Sequence, residues 1–144
     1  MKIKKLRENA KIPFRATAGS AGMDLCACID APVTILPQKI EKIPTGIAIE
    51  LESESHVALI YARSGLAINH GIAPANCVGV VDSDYRGEVC VGLVNQTNVP
   101  FTIAPGDRIA QMVIAPVVLP QIEIVDELSE TARGAGGFGS TGKS

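Results

Sequence analysis

Residues 62–67 (ARSGLA) set a guanidinium, a hydroxyl and an unobstructed backbone N–H side by side in Arg63, Ser64 and Gly65. A helical turn starting there would add free N–H groups to an anion site. The plainer reading is a loop with a cap. In residues 79–87 (GVVDSDYRG), Asp82 and Asp84 bracket Ser83 just after an apolar run. Aspartates at a strand end form turns or stay solvated. They also serve as a general base, or a magnesium partner, facing phosphates. In residues 106–111 (GDRIAQ), Asp107 and Arg108 suit a surface ion pair of little energetic weight. Gln111 falls on the strand face of Ile109 and Val113, an apolar setting in which an amide needs a partner. Residues 21–25 (AGMDL) add Asp24 next to a glycine.

A fifth segment, residues 133–142 (RGAGGFGSTG), is glycine-rich with one aromatic. Glycine loses too much backbone entropy on ordering for such a stretch to make a core element. It is either a flexible tail or a lid that orders on a ligand through its backbone N–H groups. Residues 137–144 also match the patterns GxxxxGK[ST] and GxGxxG. Both patterns work only between a strand and a helix. With Ser144 as the last residue no such helix is expected, so a P-loop fold is set aside.

Positioning these segments falls to short β-branched runs between closely spaced turn signals. Residues 45–51, 88–94, 108–114 and 121–125 read as strands, and residues 105–107 (PGD) as a turn entering the third of them. One or two helical turns are expected after Ser64 and another near residues 127–131. No segment carries a long helical period and no repeat is found. The pattern predicts an all-β sandwich, jelly roll or barrel. At 144 residues the chain fits one domain.

Composition narrows the partners. Apolar residues make up 47%, too many for a disordered chain, and with 3% aromatics and no Trp the core must be Val, Ile, Leu and Ala. A net charge of -2 gives nothing to attract nucleic acid globally. The basic cluster at residues 2–7 reads as a solvated strand face. Cys26, Cys28, Cys77 and Cys90 lack CxxC spacing and a His cluster, so free thiols in a reducing compartment are expected rather than zinc. Cys26 and Cys28 alternate along an expected strand. The N-terminus has no apolar signal core, and nothing approaches the ~20 apolar residues of a membrane span. A soluble, cytoplasmic protein without membrane contact is expected.

Taken in order, the five segments resemble the five sequence motifs of the trimeric dUTPase family, from Ala21 to Gly142. The resemblance implies a jelly-roll-like β fold over residues 1–126 and a flexible glycine-rich tail, residues 127–144, that closes over the active site. It implies a homotrimer with active sites at subunit interfaces. The implied reaction is hydrolysis of dUTP to dUMP and pyrophosphate, which limits uracil in DNA and supplies dUMP for dTMP synthesis. Asp82 matches the family's general base, directing water at the α-phosphorus, with Mg2+ on the triphosphate. Asp24 matches an aspartate that touches the metal through water. Arg63, Ser64, Gly65 and Gln111 match phosphate-binding positions. Arg133, Gly139, Ser140 and Thr141 match tail contacts, and Phe138 the aromatic that covers uracil. Asn76 through Val81 match the uracil-reading hairpin, and Tyr85 the ring under the deoxyribose that excludes a 2′-hydroxyl.

Two competing readings are disfavoured by particular residues. The related dCTP deaminase branch carries a catalytic Glu where this chain has Gly92. A trimeric binding module without catalysis would need neither Asp82 nor the tail.

Overall fold

Short aliphatic and β-branched runs between Gly, Pro and Asp become strands. Their side chains fit a pleated surface, and the runs are too short for stable helices. A computed structural model describes residues 1–137. In chain order the strands are β1 (Lys2–Lys5), β2 (Met23–Cys26), β3 (Val33–Ile35), β4 (Ile40–Pro44), β5 (Ile47–Glu50) and β6 (His56–Tyr61). The helix α1 (Ser64–His70) follows, then β7 (Ile72–Pro74), β8 (Gly79–Val81), β9 (Cys90–Asn95), β10 (Phe101–Ile103) and β11 (Arg108–Pro116).

All strand pairs are antiparallel. A four-stranded sheet runs β2-β11-β6-β8 and a three-stranded one β4-β9-β7, with β1-β5 and β10-β3 as smaller pairs. The arrangement is jelly-roll-like. Period-two alternation fills the core: Val91, Leu93 and Asn95 of β9 point inward, as do Ala58 and Ile60 of β6. Ile35, Ile43, Ile47, Ile72, Ile103 and Ile109 are fully buried beside them. Asn95 is a polar residue within this core and is fully satisfied. Its amide donates to Ile35 O at 3.0 Å and Val99 O at 2.7 Å, while Oδ1 accepts from Thr97.

Local turn chemistry acts as the sequence suggests. Asp107 N–H bonds Ala104 O at 3.1 Å across Pro105 and Gly106, with Gly106 at φ 83°. This is the turn that needs glycine at its third position. It launches β11, the strand that carries two site residues. The helix expected after Ser64 is α1, ended by Gly71 in the left-handed region at φ 64°.

Three expectations fail. Residues 121–125 alternate like a strand but form none, because no other described strand pairs with them. Ile122 and Ile124 stay 92% and 96% exposed. No helix forms at residues 127–131; the chain turns at residues 132–135 instead. Cys26 and Cys28 are both buried and free, but β2 ends at Cys26. Among the described residues no helix is long and apolar enough to cross a membrane.

Candidate active site

The four-stranded sheet sets Asp24 of β2 opposite Gln111 of β11 in register. Phe14 bridges the outer edge of β2, its carbonyl accepting from Asp24 N–H at 2.8 Å. The Asp24 side chain is buried and meets two guanidinium groups. Arg63 Nε donates to Oδ1 at 2.8 Å and Arg108 Nη1 to Oδ2 at 3.1 Å. Arg63 also reaches Arg108 O through Nη1 at 3.4 Å. These are charge-assisted bonds in a half-buried setting, stronger than exposed ion pairs.

Gln111 Nε2 donates to Ala62 O at 2.8 Å, which gives the odd amide its partner and ties β11 to the segment entering α1. Its head lies against Gly22. A Cβ on that glycine would stand 2.5 Å from Gln111 Oε1, so only glycine permits the approach. In α1 the first helical bonds run from Leu66 and Ala67 to Arg63 O, leaving the Ser64 and Gly65 N–H groups ahead of the ladder. No acidic residue sits in that first turn.

Asp24, Arg63, Ser64, Gly65, Arg108 and Gln111 thus line one open pocket of about 340 Å³. Two guanidiniums against one carboxylate leave it cationic, suited to a polyanion. Arg108 is the residue the sequence reading missed. It was expected to pair with Asp107. Instead the Asp107 carboxylate accepts from Ala104 N–H at 2.8 Å. The register shifts between Arg108 and Ala110, and this bulge brings Arg108 to the face shared by Asp24 and Gln111. Strict alternation would have put Arg108 and Gln111 on opposite faces.

A second pocket, of about 430 Å³, holds Val81, Asp82 and Tyr85 beside Lys42, Glu88 and Cys90. Asp82 is exposed just past the end of β8. The two pockets share no lining residue. Asn76 lies exposed in the link between β7 and β8 and lines neither, its carbonyl accepting from Val78 N–H at 2.7 Å. β8 is an edge strand; among the described residues only β6 pairs with it. Arg133 is exposed, lines neither pocket, and donates through Nε to Gly136 O at 2.8 Å. The readings of Phe138, Gly139, Ser140 and Thr141 lie outside the described residues. Among the described residues no group of three or more His, Cys, Asp or Glu is arranged to hold a metal.

Comparison with known proteins gives the family. The dUTPase family model matches residues 8–142. A deoxyuridine 5'-triphosphate nucleotidohydrolase of Desulfitobacterium hafniense is 55% identical over 93% of this chain and 89% of its own. One from Ralstonia pickettii is 49% identical over 99% of this chain and 97% of its own. The dUTPase of Staphylococcus bacteriophage 80alpha, solved with dUpNHpp, superposes with a TM-score of 0.87 at 27% identity, covering 99% of this chain and 98% of that one. The chain belongs to the dUTPase family.

Proposed function

We propose that this chain hydrolyses dUTP to dUMP and pyrophosphate, with Asp82 as general base, in a homotrimer whose active sites form between subunits. Family membership supports the reaction, and the phage relative was solved with dUpNHpp. The observation that carries the site reading is the separation of the pockets. The cationic group around Asp24 and Arg63 and the carboxylate of Asp82 lie in different pockets of one chain. A nucleoside triphosphate has to meet both at once. Setting one copy's first pocket against a neighbour's second satisfies that need. The exposed apolar residues Val118, Leu119, Ile122, Ile124, Val125 and Leu128 favour the same assembly, because an unpaired alternating segment gains most by pairing with another chain.

In this reading the Arg63 guanidinium, the Ser64 hydroxyl and the Gly65 N–H hold phosphate oxygens. Gln111 uses one amide proton on Ala62 O and keeps the other for the substrate. Asp82 takes a proton from the water that attacks the α-phosphorus. The bond from that phosphorus to the bridging oxygen breaks, and pyrophosphate leaves. A base of this kind is worth ~10²–10⁴-fold in rate. The free edge of β8 offers N–H and C=O groups that complement the acceptor, donor and acceptor of uracil; cytosine would leave them mismatched. Tyr85 packs under the deoxyribose. Arg133, Phe138, Gly139, Ser140 and Thr141 close over the bound nucleotide.

Magnesium fits the donor set. A hard cation that keeps its waters binds through substrate phosphates, so one carboxylate beside the phosphate-binding arginines suffices, and Asp24 would hold it through water. Bound there, Mg2+ supplies neutralisation of the triphosphate charge. We place the enzyme in the cytoplasm, a reducing compartment that suits its free cysteines.

A nucleotide panel with pyrophosphate detection, with and without Mg2+, tests the reading. dUTP turnover that depends on Mg2+ is expected, with dCTP, dTTP and UTP near background. Ammonia release from dCTP would contradict it.

A further inference from the structure

Tyr85 and Gly87 stand two positions apart in the turn that follows β8. Tyr85 N–H bonds Asp82 O at 3.2 Å, which bends the chain back. The phenol folds over its own turn, and its hydroxyl donates to Glu88 O at 3.1 Å. A Cβ built on Gly87 would overlap the hydroxyl oxygen and stand 2.5 Å from Cζ and 3.0 Å from Cε2. Carbon atoms do not pack that closely, so a side chain at position 87 would drive the ring away. The docking point is itself fixed. Glu88 Oε1 accepts from Gly46 N–H at 2.8 Å, and Val89 is buried. The ring anchored in this way lines the pocket that holds Val81 and Asp82.

Tyr85 is 44% exposed, and an exposed side chain in a turn ordinarily samples several rotamers. A ring that swings cannot exclude one oxygen atom from a sugar. We propose that Gly87 is the positioning residue for sugar selection: its missing side chain makes the space in which the Tyr85 ring docks, hydroxyl on Glu88 O, at the place that rejects a ribose 2′-hydroxyl. The proposal rests on the reading of Tyr85 as the ring under the deoxyribose. Gly87 touches no substrate atom and acts only through Tyr85.

The test compares kcat/KM for dUTP and for UTP in the full chain and in Gly87→Ala, Tyr85→Phe, Tyr85→Ala and the Gly87→Ala/Tyr85→Ala double variant. Gly87→Ala is expected to lower the dUTP-to-UTP ratio about tenfold. Tyr85→Phe, which loses the anchor without added bulk, is expected to lower it about fivefold, the size of one neutral hydrogen bond. Gly87→Ala adds no further loss once Tyr85 is alanine, since both act on one ring. A wild-type ratio in Gly87→Ala, with the ratio lost in Tyr85→Ala, overturns the positioning role and leaves the Tyr85 reading standing. A wild-type ratio in Tyr85→Ala overturns that reading and the proposal together. Should Gly87→Ala fail to fold, Tyr85→Phe decides, and a wild-type ratio there overturns the proposal.

Discussion

Asp24 and Arg63, 39 residues apart in sequence, meet at 2.8 Å, and Arg108 closes on the other carboxylate oxygen at 3.1 Å. One buried carboxylate therefore orients both cations of the first pocket. Asp24→Asn keeps the shape but removes the charge that aims them. It is expected to lower kcat/KM for dUTP by roughly 10–100-fold, as loss of an orienting partner does at metal sites. It should also raise the Mg2+ concentration needed for half-maximal rate. Steady-state kinetics across a Mg2+ titration checks both, and an unchanged Mg2+ requirement would contradict the water-shell role.

Gly22 and Gln111 form a second such dependence. Gly22→Ala places a methyl group 2.5 Å from Gln111 Oε1 and forces the amide off Ala62 O. A loss of about tenfold in kcat/KM is expected, of the order of one hydrogen bond to a charged group. In a Gln111→Ala background the same change is expected to cost little, because the two act through one side chain. Additive losses in that double-mutant cycle would show that Gly22 matters for another reason.

The cysteines separate by environment. Burial pushes the Cys26 thiol up, and burial followed by Glu88 does the same to Cys90, whereas Cys77 is exposed. The thiolate is the reactive form, so a raised thiol presents less of it near neutral pH. Iodoacetamide is expected to label Cys77 first and buried Cys26 and Cys28 last, as read by peptide mass spectrometry. Early modification of Cys26 in the native protein would contradict the packing.

Removal of residues 133–144 is expected to cripple hydrolysis while leaving the assembly intact on size-exclusion chromatography. Full activity in the truncated chain would remove the tail from the catalytic scheme.

What the sequence disclosed was mostly local. The turn at Pro105 and Gly106 and the helix after Ser64 follow from residue chemistry a few positions wide. Gln111 was legible as an amide on an apolar strand that needed a partner, though not which carbonyl would supply it. Arg108 was not legible. Its partner lies 84 residues away, and the bulge that turns it toward Asp24 leaves no simple mark in the alternation. Residues 121–125 show the converse failure, a strand pattern without a partner strand among the described residues, so pattern alone could not decide pairing. The separation of Asp82 from Arg63 into two pockets is a property of the folded chain that no motif spells out.

The most direct test of the catalytic scheme is Asp82→Asn, assayed for both dUpNHpp binding and dUTP turnover. Binding is expected to stay within a few-fold of wild type while kcat falls by ~10²–10⁴-fold. Near-normal turnover in that variant would contradict Asp82 as the general base.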